Sequence, residues 1–520
     1  MLTGAPPEPP WNPMPASTSE QDDAQQIPTH ALRDPFLDRA HRYPEENWAI
    51  CPLADGGEVQ SRNRGASAEI IARTEAGLME LGLRPGTLVG ILSPPGPAFV
   101  ETLVAAWGAG LCPVLLDPTT TEMEREQLEI RLGMAWRWDL PTGWMSNLGQ
   151  PRPAGGAGGD SPVPGAAVLK LTSGSTGPAR GIAVSARALA ADTTRLIEAM
   201  GLTQADRLLA AVPLTHSYGF SVLTAPALMC GATLCFPGAL DVLEAGWQLG
   251  ATFLPSVPSW YRAMLAISKP GDFPASLRLL LAAGAPLQPE TARGFREDMG
   301  LPICVLYGAS ECGGIAYDGD GTATERGSVG NLLPGVHVDL GQPHGGGGRP
   351  VTVRSSAVAE GYIPTDDEDV MRLDGARYVS EDLARLEQDE LFLMGRTSGW
   401  ISVRAKKVNP MEVEAVIATL PGVDEVVVHG VPARHRGSET VLGEEQVRAV
   451  VACAQASLST RDVLRWCSTR LAPHKRPRAV VLVDALPRTE RGKIDRDRLG
   501  SLVPDSTARL AIDKGTSGGT

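Results

Sequence analysis

The sequence is short of the features that mark several common classes of protein. It has 47 lysines and arginines against 60 aspartates and glutamates, which gives a formal net charge of −13. This balance disfavours non-specific binding to nucleic acid or to an anionic membrane, because the charge needed to neutralise phosphates is missing overall. Aromatic residues make up only 5% of the chain, but its 43% hydrophobic share is ordinary. The class that remains is a soluble globular protein.

Cysteine motifs and targeting signals are also missing. The eight cysteines include no C-x-x-C pair and have no histidine at metal-binding spacing; they are Cys51, Cys112, Cys230, Cys235, Cys304, Cys312, Cys453 and Cys467. Most of them lie in apolar runs, where buried thiols are common, so we expect a reducing compartment and no metal knuckle. The first 26 residues have neither a basic segment nor an apolar one, so we expect no signal peptide and a cytoplasmic location.

One uncharged run, residues 208–240, is long enough to cross a bilayer. It contains His216 and several prolines and glycines, and its pattern favours a strand, a loop, a buried helix and a second strand. We therefore expect no membrane span.

Helical and strand patterns alternate along the chain. The helical pattern ASAEIIARTEAGLMELGL (66–83) precedes the β-rich runs TLVGILSP (87–94) and LCPVLLDP (111–118), and the alternation continues to PICVLYGAS (302–310). This alternation predicts parallel sheets covered by helices. Several strands end in turns rich in glycine, serine or proline, and open α/β sheets bind ligands at these carboxyl ends. Shorter strands joined by glycine-rich turns follow from about residue 325, and a compact α+β unit follows residue 398.

The stretch LKLTSGSTGPARG (169–181) is rich in glycine and hydroxyl side chains directly after an apolar run. Glycines let backbone N–H groups turn inward as an anion nest, hydroxyls donate to phosphate oxygens, and arginine supplies positive charge. The candidate phosphate-binding residues are Thr172, Ser173, Gly174, Ser175, Thr176, Gly177 and Arg180. Their spacing does not match the P-loop pattern G-x-x-x-x-G-K-[ST]. The loop alone leaves both phosphate binding and an ordinary surface loop open.

Four further stretches carry residue types that suit a nucleotide. LYGASECGG places Tyr307 and Glu311 at the end of a predicted strand, where an aromatic ring can stack on a base and a carboxylate can hold Mg²⁺ beside phosphates. YVSEDLARL contains Asp382, FLMGRTSGW contains Arg396 and LPRTERGKIDRDRL contains Lys493. Taken singly, each of these three charged side chains is more simply explained as a surface charge.

Together and in this order, these stretches resemble the adenylate-forming superfamily, which includes acyl- and aryl-CoA synthetases, luciferases and the adenylation domains of peptide synthetases. The resemblance runs from about residue 65 to residue 500. It implies an α/β fold with a large N-terminal domain of stacked α/β layers, a small β-barrel-like part, and a small mobile α+β C-terminal domain. The expected boundaries are 31–397 and 398–503, between a disordered proline-rich N-terminus (1–30) and a tail (504–520).

The resemblance implies ATP and Mg²⁺ as cofactors and gives each motif a role. The hydroxyl-rich loop holds the pyrophosphate end of ATP, and Ser310 and Glu311 serve the phosphates and Mg²⁺. Asp382 and Arg396 bind the ribose. The residues expected around the adenine are Gly284, Ala285, Pro286, Tyr307 and Gly308. The chain departs from the family pattern at Arg180, where lysine is usual, and an arginine fork is not equivalent to a flexible ammonium group.

In this family a carboxylate attacks the α-phosphate of ATP and forms an acyl-adenylate and pyrophosphate. The charge of Lys493 neutralises the two anions together with Mg²⁺. The acyl group then passes to a second nucleophile after the C-terminal domain rotates about a hinge, which maps to Ser398.

The stretch PLTHSYGF places His216 where acyl- and aryl-CoA ligases carry a histidine that gates the acyl pocket. Domains that select α-amino acids carry an aspartate in this region, so an acid without an α-ammonium group is favoured; a core histidine is the alternative. The catalytic residues expected are thus Lys493, Glu311 and His216. The expected pocket walls are His216, Ser217, Tyr218, Gly219, Ser256, Ala282, Ala309 and Gly313.

The acyl acceptor is expected to be CoA, although the stretch ISVRAKKVNP departs from the usual I-K-x-x-G. Ser402 replaces the lysine and Ala405 replaces the glycine, which hinders a close approach to the backbone. The alternatives are an amine acceptor, a carrier-protein thiol, and an inactive nucleotide-binding homologue. Basic residues that suit a CoA phosphate, an acidic carrier protein or only solvent are Arg404, Lys406, Lys407, Lys475 and Arg476.

Overall fold

The structure of the chain is a computed structural model. It describes residues 30–52, 59–118, 120, 122–134, 136–139, 144–147, 165–171, 180–238, 240–343, 348–364, 372–396, 401–403, 406–434, 440–453, 458–471, 473, 475–489, 494–495 and 498–499. The chain divides into two compact units, which we call unit 1 (1–337 and 353–378) and unit 2 (338–352 and 379–520). Each is described by itself.

Unit 1 contains two sheets. The strands of the first are β1 (Asn47–Cys51), β2 (Gln60–Asn63), β9 (Arg207–Leu209), β10 (Thr233–Cys235), β11 (Phe253–Ser256), β12 (Leu279–Ala282), β13 (Ile303–Ala309), β14 (Gly313–Asp318) and β15 (Asn331–Leu332). The strands of the second are β3 (Leu88–Leu92), β4 (Cys112–Leu116), β5 (Trp136–Asp139), β6 (Trp144–Asn147), β7 (Ala166–Leu171), β8 (Gly181–Ser185) and β18 (Gly361–Ile363).

The strand order is β15-β14-β13-β12-β11-β9-β10-β1-β2 in the first sheet and β18-β8-β7-β4-β3-β5-β6 in the second. The central strands of both are parallel, whereas β14, β15, β8, β18, β6 and β2 add antiparallel edges. Strands β3 and β4 are buried along their whole length, as parallel strands covered on both faces should be.

The helices of unit 1 are α1 (His30–Arg42), α2 (Arg64–Glu80), α3 (Pro97–Gly108), α4 (Glu122–Leu132), α5 (Ala186–Met200), α6 (Ser217–Gly219), α7 (Ala225–Cys230), α8 (Val242–Leu249), α9 (Pro258–Ile267) and α10 (Pro289–Glu297). A π-helical turn, Phe220–Thr224, joins α6 to α7, and a short 3₁₀ helix spans Ala323–Arg326. The described part of the run 208–240 is therefore strand, helix and strand, and no described helix is long and apolar enough to cross a membrane.

Helix α5 shows how local sequence sets an element and how the layers meet. The Ser185 hydroxyl accepts a hydrogen bond from the Ala188 N–H at its start, and Gly201 ends it in a left-handed conformation (φ 57°). The helix contacts β7 and β8 of the second sheet and β14 of the first. It therefore belongs to a helical layer between the two sheets.

Unit 2 contains mainly short strands and two helices. Its strands are β16 (His337–Leu340), β17 (Arg349–Arg354), β19 (Arg377–Glu387), β20 (Glu390–Arg396), β21 (Ile401–Val403), β22 (Lys406–Val408), β23 (Glu425–Arg434), β24 (Thr440–Ala452) and β25 (Ala479–Val483). The helices are α11 (Pro410–Ala418) and α12 (Thr460–Arg470). Strands β16, β17 and β19 begin or end in unit 1. In place of the expected barrel-like part, the described strands β16, β17, β19 and β20 adjoin in that order without closing a barrel.

Candidate functional site

The carboxyl ends of β12 and β13 lie side by side in unit 1. These parallel strands pair Leu280 with Ile303 and Ala282 with Val305. Gly284 and Tyr307 each lie two residues beyond the last of these pairs, Ala282–Val305. Gly284 has φ +85°, which favours glycine, and the segment 284–286 is exposed, while Tyr307 is half-buried. The structure thus brings these adenine-site candidates to one edge of the sheet.

Glu311 lies in the turn that joins β13 to β14. Ala309 pairs with Gly313 across this hairpin, which leaves 310–312 as a tight turn beyond the sheet edge. One carboxylate oxygen of Glu311 accepts a hydrogen bond from the Tyr362 hydroxyl at 2.9 Å. Its carbonyl oxygen accepts another from the Ala359 N–H at 2.8 Å. The acid is therefore held both through its side chain and through its backbone.

Tyr362 also links Glu311 to the phosphate-loop candidate that the structure describes. The guanidinium carbon of Arg180 lies 6.0 Å from the centroid of the Tyr362 ring, within the range of a cation–π contact. Strand β18 pairs with β8 at Tyr362–Ile182 and Ile363–Gly181, directly after Arg180. The chain thus gathers a cation, a phenol and a carboxylate at one place in unit 1.

The acyl-pocket candidates begin at the start of α6. The Nδ1 atom of His216 accepts a hydrogen bond from the Tyr218 N–H at 3.3 Å, so a neutral ring keeps its proton on Nε2. The hydroxyl of Ser310 donates to that of Ser217 at 2.8 Å. The Tyr218 hydroxyl donates to the carbonyl of Leu281 at 2.9 Å. Helix α6 is therefore held against the ends of β12 and β13.

The other expected wall residues differ in exposure. Ser256 and Ala282, the last residues of β11 and β12, are 3% and 1% exposed, and Gly219 is also buried. Ala309 and Gly313 are half-buried at the turn that carries Glu311.

In unit 2, the structure pairs Asp382 with Arg396 across β19 and β20. The Nε atom of Arg396 lies 3.1 Å from a carboxylate oxygen of Asp382, and its Nη2 atom lies 3.3 Å from Glu381. The Ser380 hydroxyl accepts the N–H of Asp382 at 3.0 Å. The two residues expected to bind a ribose are therefore in contact.

Several candidates lie outside the described residues. They are Thr172, Ser173, Gly174, Ser175, Thr176, Gly177, Ser398, Arg404, Ala405 and Lys493, together with the side chains of Ser402, Lys406 and Lys407. Two other basic candidates have partners within unit 2: Lys475 forms an ion pair with Glu412 at 2.5 Å, and Arg476 donates to the carbonyl of Leu471 at 2.8 Å.

Sequence reasoning missed Tyr362 and a buried polar cluster formed by Lys170, Asp192 and Ser221. Lys170 is 3% exposed, and its burial lowers the pKa of its ammonium group while the Asp192 carboxylate partly opposes this shift. A signal existed, because Lys170 interrupts an otherwise apolar strand directly before the hydroxyl-rich loop. Tyr362 gave no comparable signal, since it lies 51 positions from Glu311.

The donor set of the site suits Mg²⁺ bound together with phosphates. Glu311 provides a carboxylate oxygen, which this hard cation prefers, and Mg²⁺ is usually held by one or two carboxylates plus substrate phosphates. Among the described residues there is no group of three or more histidines, cysteines or acids placed to hold a metal. A single acid beside a cation therefore fits a metal that arrives with a nucleotide better than it fits a protein cage.

Comparison with known families gives two matches. The profile described as AMP-binding enzyme matches residues 36–130 and 158–363, and the profile described as AMP-binding enzyme C-terminal domain matches residues 412–493. Among curated proteins, feruloyl-CoA synthase from Amycolatopsis sp is 30% identical over 455 residues, which cover 82% of this chain and 90% of that protein. The 4-coumarate–CoA ligase-like protein 4 of Oryza sativa subsp. japonica is 29% identical over 354 residues, or 65% of this chain and 63% of that protein.

Solved structures with the same fold cover most of the chain. ATP-bound MatB from Rhodopseudomonas palustris superposes with a TM-score of 0.77 at 22% identity and covers 91% of this chain and 98% of its own. O-succinylbenzoate coenzyme A synthetase (MenE) from Bacillus subtilis, in complex with ATP and magnesium, gives a TM-score of 0.74 at 21% identity over 90% and 99%. These likenesses confirm the expected α/β class with a large N-terminal part and a smaller C-terminal part.

Proposed function

Because this chain belongs to the family of AMP-binding enzymes, we propose that it is an acid–CoA ligase that works through an acyl-adenylate. It activates a carboxylic acid with ATP, releases pyrophosphate, and passes the acyl group to CoA. The acid lacks an α-ammonium group, because His216 stands where amino-acid-selecting relatives carry an aspartate. Relatives named for feruloyl-CoA and indoleacetate–CoA formation make aromatic acids the first class to test.

The observation that carries this proposal is the contact of Arg180, Tyr362 and Glu311 in unit 1. Attack of a carboxylate on the α-phosphate brings two anions together, so the site must supply positive charge and hold it in place. Arg180 supplies a fixed positive charge. Glu311 supplies the oxygen ligand, and the Tyr362 hydroxyl, 2.9 Å away, orients that carboxylate. Mg²⁺, when bound, would add charge neutralisation at the phosphates.

His216 suits the recognition of the acid. Its Nδ1 atom accepts the Tyr218 N–H at 3.3 Å, so when the ring is neutral its proton lies on Nε2. A donor of this kind suits the carboxylate of the incoming acid. Tyr218 keeps the segment in place through its hydroxyl bond to the Leu281 carbonyl. Burial raises the pKa of the Tyr218 phenol well above its ordinary value, so this group stays a neutral donor.

The roles of the remaining candidates are part of the same proposal. Asp382 and Arg396 are assigned to the ribose, Lys493 to charge neutralisation during adenylate formation, and Ser398 to the hinge. Lys493→Ala is expected to abolish adenylate formation and to spare ATP binding. In Glu311→Gln, adenylate formation is expected to need more Mg²⁺, because the metal loses an anionic ligand.

Acid-dependent exchange of labelled pyrophosphate into ATP tests the adenylation half-reaction without any acceptor. We expect exchange with at least one member of a panel of aromatic and aliphatic acids, and a loss of exchange in Lys493→Ala. Nucleotide binding by that variant, measured calorimetrically, serves as its control. Exchange that is unchanged in Lys493→Ala would refute the assigned chemistry. No exchange with any acid, with nucleotide still bound, would favour an inactive nucleotide-binding homologue.

A further inference from the structure

A chain of buried polar contacts crosses unit 1 beneath the turn that carries Glu311. The ammonium group of Lys170 donates to the Ser221 hydroxyl at 3.2 Å, and this hydroxyl donates to Asp192 Oδ2 at 3.2 Å. The other carboxylate oxygen of Asp192 accepts the N–H of Gly314 at 2.9 Å. The four residues belong to β7, the π-helical turn, α5 and β14, so the contacts run from one sheet through the helical layer to the other.

The two ends of this path adjoin candidate site residues. Lys170 is the penultimate residue of β7, which leads directly into the hydroxyl-rich loop. Gly314 follows Gly313 in β14, at the end of the hairpin turn that carries Glu311. The contacts therefore join the strand before the phosphate-loop candidates to the turn that bears the metal-binding acid.

The turn is fitted closely to Asp192. Gly313 has φ +70°, and a Cβ atom added there would lie 2.2 Å from Asp192 Oδ1. The N–H of Gly314 bonds to this same oxygen. A shift of the Asp192 carboxylate would therefore be transmitted to the hairpin, and so to the backbone on either side of Glu311.

Lys170 is placed to fix that carboxylate. It is 3% exposed, Asp192 is also 3% exposed and Ser221 is 9% exposed, so water does not screen the group. The ammonium nitrogen also lies 5.6 Å from the centroid of the Phe220 ring. Burying an ammonium group costs free energy unless the group is paired and hydrogen-bonded. An apolar side chain could fill the same position in β7 without this cost.

We propose that Lys170 is a positioning residue for adenylate formation: through Ser221 and Asp192 it fixes the turn that carries Glu311. The inference rests on the proposed role of Glu311 as a ligand of Mg²⁺. In this proposal Lys170 does not contact the substrate.

Lys170→Met tests the proposal, since it removes the charge and keeps an unbranched side chain of similar length. We expect hydrogen exchange of the segment 308–316 to quicken roughly tenfold, because a hydrogen bond to a charged group is lost from the path. We also expect the Kd of α,β-methylene-ATP to rise roughly tenfold in excess Mg²⁺ and to stay within twofold in EDTA. The second result separates metal positioning from a general loss of structure.

Ser221→Ala provides a milder break in the same path, should Lys170→Met fail to fold. Glu101→Gln is the matched control. Glu101 lies on helix α3, is 3% exposed, and accepts a hydrogen bond from the Ser67 hydroxyl at 2.6 Å. We expect this control to fold and to leave exchange in 308–316 unchanged. In a double-mutant cycle, Lys170→Met should add little to Asp192→Asn, because both act through one carboxylate.

Folded Lys170→Met and Ser221→Ala proteins with wild-type exchange in 308–316 and wild-type Mg²⁺ dependence would overturn the proposal. Additive effects of Lys170→Met and Asp192→Asn would also contradict it. A failure of the proposed function gives a different result: the wild-type protein itself would not bind the nucleotide in a Mg²⁺-dependent way. The exchange experiment would still report whether Lys170 fixes the turn.

Discussion

Tyr362→Phe is the most direct test of the arrangement around Glu311. The substitution removes the hydroxyl that donates to the carboxylate at 2.9 Å and keeps the ring that faces Arg180. Tyr362 is 7% exposed, so water does not replace the lost donor freely. A hydrogen bond to a charged group contributes about 1.5–3 kcal/mol, which corresponds to roughly 10- to 150-fold in an equilibrium or rate constant.

We expect this loss to appear in the use of Mg-ATP rather than in the affinity for the acid. The kcat/KM for Mg-ATP in pyrophosphate release should fall at least about tenfold, and the Mg²⁺ concentration for half-maximal rate should rise. The KM for the acid should stay within about twofold, since the acyl-pocket contacts are untouched. In Tyr362→Phe, Arg180 keeps its contact with the aromatic ring at position 362.

Tyr261→Phe is the matched control for this experiment. Its hydroxyl is also buried in unit 1 and donates to the Leu254 carbonyl at 2.7 Å. Leu254 lies on β11, whereas the turn that carries Glu311 joins β13 to β14. The control should lose about 1 kcal/mol of unfolding free energy and keep its Mg²⁺ dependence. If Tyr362→Phe shows the same Mg²⁺ dependence and kcat/KM as the control, Tyr362 does not orient Glu311 and the reasoning fails.

Three further outcomes follow from described contacts. Burial raises the pKa of Asp206, but hydrogen bonds, among them those from Arg278 at 2.7–2.8 Å, outweigh burial and lower the pKa overall. Asp206→Asn should therefore lose about 1–2 kcal/mol of unfolding free energy at neutral pH. An acid whose pKa is lower in the folded protein stabilises the fold fully only above the pKa that it has in the unfolded chain. Chemical denaturation should therefore show the difference in unfolding free energy between wild type and Asp206→Asn shrinking below about pH 4. Gly313→Ala should lower the melting temperature and impair pyrophosphate release, because φ +70° and the Asp192 carboxylate oppose a methyl group; wild-type values for both would contradict the fit. Titration of the native protein with a thiol reagent at pH 8 should show at most one fast thiol, Cys51, because the other seven cysteines are buried; two or more fast thiols would contradict it.

The sequence predicted the fold well where patterns are local. The runs 87–94 and 111–118 became β3 and β4 because apolar residues without interruption suit a strand buried on both faces. The described residues of the run 208–240 form a strand, helices and a second strand, in line with the pattern that its prolines and glycines favoured. A barrel-like part was expected, and the described strands β16, β17, β19 and β20 form an open row there; how strand edges pair is not encoded in short strands.

The candidate site could be proposed from the sequence only in its linear parts. Motif order indicated Glu311 and Arg180, and the pairing of β12 with β13 explains why the segments that follow them, with Gly284 and Tyr307, lie at one edge of the sheet. Tyr362 and Asp192 escaped notice because their roles arise from contacts across 51 and 122 positions, which no local period encodes. The resemblance to a family supplied roles for single residues, but it did not indicate what holds those residues in place.

One reaction tests the central claim most directly: the purified protein is incubated with Mg-ATP, CoA and each acid that supports pyrophosphate exchange, and the products are identified by mass spectrometry. The proposal predicts equal amounts of AMP, pyrophosphate and acyl-CoA, with none of these in Lys493→Ala. Accumulation of acyl-AMP without acyl-CoA, or formation of an amide only when an amine is added, would contradict CoA as the acceptor. Formation of ADP and phosphate in place of AMP and pyrophosphate would contradict the adenylate itself.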